Sequence, residues 1–455
     1  MNLLLAPRFW PGCLPFTPPL TILGTPFSEP PKIMLRLALI TVPLLCLSAF
    51  VPASAPALDG PYLKDSDLKK LAQSFNDYIE ASVAREGVLK AENEVGEILE
   101  KLGRKLRKAP IDDILASPLD LGRALWMSKE YTRKRVKFGS IQDGVYDQTV
   151  PGGDGPLKYA ILAPADYDKG KKKSWPLVLC VPGVDETPQE TLLENWSDGE
   201  LHNQVILVCP EMPKDADTWT GMPGVGTMLI LFRAIYEDWA IDYNKVFISG
   251  RGAGVNAALS IAGKFPELFA GVIGRSGDAG DAPSDNFSNL PTWFSGGGSG
   301  VTAWEAKIKE AGWENCTVDP EGREKEILGW LNDTERNGVP TNISLVPGSP
   351  FPTRAYWLEV PAGDEAGALV EARVDRDTNT IHVDATLVPT VTLLFNDLLV
   401  DLSKPVKVVI NGVEHTDLLP RSYRTCLKLI FQGTNDPGRV FVAKKAYSVP
   451  PKAKK

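Results

Sequence analysis

The sequence predicts a mixed α/β chain in three folded parts: a helical hairpin, a core of parallel strands covered by helices on both faces, and a terminal β-sandwich. Three observations predict it. Between residues 61 and 130, apolar residues recur every three and four positions, the period of an amphipathic helix. From 131 to 345, short apolar runs ending in Gly or Pro alternate with helical stretches, the order of a parallel sheet buried on both sides. From 354 to 449 the helical periods disappear, and short alternating segments are separated by Gly, Asp, Asn and Pro.

Composition sets outer limits. With 455 residues, 43% of them apolar and 23% charged, the chain has material for more than one buried core. Forty Gly and 38 Pro occur without a triplet period, which excludes collagen and implies many turns. The balance of 49 basic against 57 acidic residues gives a net charge of −8, so neither nucleic acid nor an anionic membrane is expected as the main partner.

Residues 1–55 read as a leader. The apolar run Leu37–Val51 is short for a membrane span and is interrupted by Pro43. Lys32 and Arg36 precede it, and Ala53-Ser54-Ala55 follows, the small-x-small pattern that a signal peptidase accepts. Cleavage after Ala55, a start at Met34 and an upstream extension over 1–33 are expected, giving a secreted or periplasmic protein without a spanning helix. An uncleaved anchor is the alternative.

Residues 56–130 form the helical segment. Leu68, Leu71, Phe75, Ile79 and Val83 make one stripe, and Val95, Ile98, Leu99, Leu102 and Leu106 a second, with Gly87 between them and Pro110 closing the pair. Such a stripe belongs to a core, or else docks a protein partner. Residues 131–350 form the α/β segment. It opens with antiparallel strands within 135–162 around a turn at 151–155. Strands are then expected at Pro176–Val181, Val205–Cys209, Val246–Ser249, Gly271–Ile273, Pro291–Phe294 and Ile343–Val346. Residues 351–455 form the β-sandwich, with Asn411-Gly412 marking a hairpin turn.

Beyond the leader, Cys180, Cys209, Cys316 and Cys426 show no zinc spacing, and two of them lie in apolar runs as small buried side chains. No DxDxDG run supports calcium, and no metal or other cofactor is expected. The glycine loops Gly250–Gly254 and Ser295–Gly300 lack the full dinucleotide and P-loop patterns.

The strand Val246–Ser249 runs into Gly250-Arg251-Gly252-Ala253-Gly254 and then an apolar helix, the context of the G-x-S-x-G nucleophile elbow. On these residues the segment of about 155–345 resembles the α/β-hydrolase superfamily, in particular secreted carboxylesterases and depolymerase-like esterases. Two further stretches carry the resemblance. Leu177–Val181 leads into Pro182-Gly183, where such proteins often have His-Gly, and Lys264–Gly271 matches a common exit from the elbow helix.

The resemblance places Gly252 where the family has its serine, and glycine offers no oxygen to attack a carbonyl. It does adopt the positive φ of an elbow without the strain of about 1–3 kcal/mol that a side chain incurs. The family base aligns with Arg323, in Gly322-Arg323, and arginine cannot accept the proton. The acid loop reads Ser295–Gly300, with no carboxylate before Glu305. The resemblance therefore implies an esterase fold with a degenerate triad.

Of the three histidines, His202 precedes a core strand, which puts it on the edge away from the elbow, and His382 and His415 lie in the β-rich segment. Ser276 is the best surviving hydroxyl, without an evident base, and an active carboxylesterase using it is the alternative reading. Arg251, Arg275 and Arg323 map near the rim of the sheet beside Gly252 and the Ala253 N–H. With Ser276 they form a candidate site for a small anionic or carbohydrate-like ligand. Alternatively the arginines pair with Glu321, Asp278 or Asp281 and hold loops.

Overall fold

The computed structural model describes residues 60–452, apart from 107–110, 112, 130–144, 153–154, 168–172, 184–185, 195, 197, 213–217, 281–282, 297 and 434. The expected leader and the start of the leading strands, residues 135–144, lie outside the described residues. Among those described, no helix is long and apolar enough to cross a membrane.

The described residues begin with α1 (Asp65–Ala84) and α2 (Val88–Gly103), the hairpin that the two stripes predict, with Gly87 at φ +67 between them. A third helix was not read from the sequence: α3 (Pro118–Met127). Ser117 accepts from the Asp120 N–H as its cap, and Pro118 sits in the first turn.

The middle of the chain builds one eight-stranded sheet. Its elements in order are β1 (Val145–Gly152), β2 (Gly155–Leu162), β3 (Trp175–Val181), α4 (Pro188–Glu194), α5 (Gly199–His202), β4 (Ile206–Pro210) and α6 (Met222–Asp238). There follow β5 (Ile241–Arg251), α7 (Gly254–Lys264), β6 (Gly271–Arg275), β7 (Thr292–Ser295), α8 (Ser299–Glu310), β8 (Cys316–Asp319) and α9 (Glu324–Asp333). Strand order is β1-β2-β4-β3-β5-β6-β7-β8. β2 runs antiparallel to both its neighbours, and all pairings from β4 to β8 are parallel.

Period-two alternation assigns each strand residue to a face. Leu177, Leu179 and Val181 of β3 pack with α6, α7 and α8, whereas Val178 and Cys180 pack with α4, α5 and α9. A sheet covered on both sides explains why its strands read as unbroken apolar runs.

The last segment holds β9 (Asn342–Leu345), β10 (Arg354–Ala355), β11 (Leu358–Glu359), β12 (Leu369–Asp375), β13 (Thr380–Thr386), β14 (Thr390–Phe395), β15 (Val406–Ile410), β16 (Val413–Asp417), α10 (Tyr423–Gln432) and β17 (Ala443–Ser448). They form two sheets, β10-β11-β14-β17 and β16-β15-β13-β12-β9. The expected Asn411-Gly412 hairpin joins β15 to β16, with both residues at positive φ as a primed turn requires.

Two expectations are corrected. The run Ile343–Val346 does not join the parallel sheet: as β9 it pairs antiparallel with β12. An apolar run alone carries no record of which sheet it will join. The terminal segment is not free of helix either, because α10 covers it, burying Cys426, Leu427 and Ile430 on one face. Leu68, Leu71 and Phe75 of α1 and Val95 and Leu99 of α2 share one core with α10 and with Val391, Leu393 and Val408 of the sheets. The helical stripes are thus covered by the chain's own C-terminal part.

Candidate functional site

β5 emerges from the sheet at Arg251, the chain turns at Gly252 with φ +54, and α7 begins at Gly254. Packing fixes this turn. A Cβ on Gly250 would lie 2.0 Å from the Gly254 carbonyl oxygen, and one on Gly254 would lie 2.8 Å from that of Val181. One on Gly277, after β6, would lie 2.1 Å from the Gly252 carbonyl oxygen. Gly252 differs from these three. A Cβ there meets nothing within 4 Å, so only its φ, and no neighbour, opposes a side chain.

A sheet order of 1-2-4-3-5-6-7-8 with an antiparallel second strand, and a sharp strand–turn–helix after β5, decide the architecture. The core has the α/β-hydrolase fold.

Similar solved structures include a thermostable esterase, 18% identical, matched over 43% of this chain and 64% of that one with a TM-score of 0.37. They also include a ferulic acid esterase of the anaerobic fungus Anaeromyces mucronatus (12% identical, 43% and 89% covered, TM-score 0.34). A third is the S-formylglutathione hydrolase of Staphylococcus aureus (9% identical, 41% and 98% covered, TM-score 0.33). The chain spans under two thirds of the length of the thermostable esterase. No family model and no curated protein matches the sequence.

The rim of the hydrolase core is where the candidate residues meet. The Gly252 N–H donates to the Arg275 carbonyl at 3.0 Å, so the elbow apex rests on the end of β6. Ser276, the next residue, is exposed and itself at φ +50, and its N–H donates to the Ser295 carbonyl at 2.9 Å. The expected acid position after β7 holds no carboxylate among the described residues of Ser295–Gly300, of which 297 is not described. Asp278 faces that loop instead, accepting from the Gly300 N–H at 3.1 Å.

Each rim arginine has a partner. Arg275 pairs with Glu324 at 3.1 Å and lies over the Trp196 ring, 4.6 Å from its centroid. Burial depresses the Arg275 guanidinium below its usual range, and Glu324 offsets part of that. Glu324 also accepts from the Asp198 N–H at 2.6 Å, tying the loop before α5 to the start of α9. Arg323 is 60% exposed and bridges Glu321 at 3.3 Å and Glu326 at 3.4 Å. Arg251 is exposed at the strand end and is also engaged within the chain. Of the loop-holding partners expected, Glu321 is found on Arg323, and Glu326 and Glu324 are the further partners of Arg323 and Arg275. Asp281 lies outside the described residues.

Sequence reasoning missed Glu186, Trp196 and Glu324. The Gly183 N–H, at the family's His-Gly position, donates to the Glu186 carboxylate at 3.0 Å, and Thr191 donates to the same oxygen at 3.2 Å. A carboxylate therefore occupies the backbone donor that follows β3. Only the chain's return three residues later brings it there, and no spacing rule announces that.

None of the three imidazoles among the described residues hydrogen-bonds a hydroxyl or a thiol. His202 Nε2 lies 2.5 Å from the Trp196 carbonyl oxygen, and His415 packs against Tyr447. His382 sits on β13, paired across from Arg373. Cys180 is buried in β3, and burial pushes its thiol up to about 12, so it is no thiolate nucleophile at neutral pH. Among the described residues, no group of His, Cys, Asp and Glu is placed to hold a metal.

Proposed function

We propose that this chain is a secreted or envelope protein that keeps an esterase-type α/β-hydrolase core without its hydrolytic chemistry, and that its role is binding or scaffolding. The observation that carries the reading is Gly252 at the apex of an otherwise preserved elbow, with open space where a nucleophile's side chain would stand. Two features support it. Arg323, at the position of the family base, is an exposed side chain paired with two glutamates. The Gly183 N–H, on the side where an oxyanion would be stabilised, is already satisfied by Glu186. Because Arg275 and Arg323 are held by carboxylates, the rim serves better as a set of loop ties than as an anion receptor. The secretory reading is supported by the leader-like residues 1–55.

A second reading has one specific observation in its favour. Ser276 is a non-glycine residue at φ +50, exposed beside the elbow apex, and strain of this kind gathers at functional sites. One experiment separates the two. Purified protein is incubated with p-nitrophenyl acetate and butyrate, and separately with a fluorophosphonate. The non-hydrolytic reading expects hydrolysis at the buffer rate and no labelled peptide. Saturable turnover with stoichiometric labelling of Ser276 would overturn it.

A further inference from the structure

A cavity of about 710 Å³ lies where α3, the first residues of β5, the linker after α9 and the C-terminal sheets meet. It opens at the start of β5, at Asp242–Asn244, whereas the elbow stands at the other end of that eleven-residue strand, roughly 30 Å away. Ligands of open α/β sheets bind at the carboxyl ends of the strands. This cavity lies at the amino ends and exists only because the appended segments close over them.

Its walls point to a ligand class. Trp126 of α3 lines it, with the indole fixed by Nε1–H donating to the Ile241 carbonyl at 3.4 Å. Asn244 and Asn337 line the same space with amides whose oxygens accept within the chain, from Arg336 at 3.3 Å and from the Val339 N–H at 3.0 Å, so that their NH2 groups are the donors they bring to it. The charges around it are largely balanced within the chain. Arg123 is paired with Asp120 at 3.1 Å and with Asp65. Arg336 is held by Asp436 at 2.5 Å. The two remaining charges are of opposite sign and each meets the backbone: Asp242 accepts from the Asn244 N–H at 3.0 Å, and Arg376 donates to the Leu398 carbonyl at 2.5 Å.

We propose that this cavity binds a neutral oligosaccharide. A pyranose ring presents an apolar C–H face, which stacks on a fixed aromatic wall, and an equatorial rim of hydroxyls, whose oxygens accept from amide NH2 groups. The volume falls within the roughly 300–1,000 Å³ of small-molecule sites. The proposal does not rest on the state of the elbow.

The test is isothermal titration of the full chain with xylohexaose, cellohexaose, mannohexaose and chitohexaose, and with oligogalacturonate as an anionic comparison. At least one neutral sugar is expected to bind one-to-one with Kd below about 1 mM. Trp126→Ala and Asn337→Arg are each expected to weaken that binding about tenfold or more. Asn337 is exposed, so its variant is expected to fold even if the loss of the indole disturbs α3. Failure of all four neutral sugars to bind, binding of oligogalacturonate alone, or affinity unchanged in both variants would each overturn the proposal.

Discussion

Gly252 and Gly250 are two glycines of one turn with opposite physical demands. Gly250 is required by contact, since a Cβ there would overlap the Gly254 carbonyl at 2.0 Å. Gly252 is required only by its φ of +54, with free space beyond. Gly252→Ser is therefore expected to fold, at a cost of about 1–2 kcal/mol from the left-handed backbone. Gly250→Ala is expected to cost about 3 kcal/mol or more, because main chain must move. Denaturant midpoints of the two variants check this order. The Gly252→Ser chain should still hydrolyse p-nitrophenyl acetate at the buffer rate, since Arg323 cannot take the proton of the new hydroxyl. The sequence already showed the glycine frame at this scale, but it could not show which of these glycines was sterically replaceable. That distinction depends on carbonyls contributed by the neighbouring turn and by β3.

At the scale of elements, the helical hairpin and the terminal sheets are far apart in sequence and single in space. Each stripe was legible because an amphipathic helix repeats every 3.6 residues whatever covers it. Its partner was not, because periodicity records a buried face and is silent about what buries it. The same limit explains β9, whose apolar run suits either sheet, and α10, whose Leu427, Leu429 and Phe431 also fit a strand's alternation. Phe75 of α1 is 1% exposed within the shared core. Phe75→Ala is expected to cost about 3–5 kcal/mol. Its effect belongs to the C-terminal sheets as much as to α1, so amide exchange should accelerate in β12 and β13 together with α1. Protection lost from α1 alone would mean that the shared core is not one cooperative unit.

Across the whole molecule, the hydrolase core and the C-terminal sheets are joined through a buried polar node. Arg336 follows α9, its side chain 0% exposed, and donates to Asp436, 4% exposed, at 2.5 and 2.8 Å and to the Glu267 carbonyl at 2.7 Å. Burial alone would raise the Asp436 carboxyl, but Arg336 beside it outweighs this and holds it below the ordinary 3.8. With the folded pKa depressed, the unfolded chain takes up the proton first. The pair's contribution is complete above pH 3.8 and is lost as the pH falls through the folded value. Asp436→Asn leaves the guanidinium buried without its counter-charge and is expected to cost about 3–5 kcal/mol at neutral pH. Urea midpoints measured from pH 7 down to pH 3 should fall less steeply in this variant than in the parent chain. An equal slope would remove Asp436 from the acid response.

What the sequence determined by itself is local. Strand and helix periods, the glycine frame of the elbow with Gly252 at its centre, and the Asn411-Gly412 turn all follow from residues within a few positions of one another. Tertiary structure alone decided the rest: which sheet β9 joins, what covers α1 and α2, and that Glu324 holds Arg275. It also made the cavity beside Trp126, whose walls come from seven separate stretches of chain between residues 118 and 440. The physical reason is the range of the interactions. Backbone preference and side-chain period act between neighbours and leave a mark in the order of residues, whereas charge pairing and the burial of one surface by another need only proximity in space.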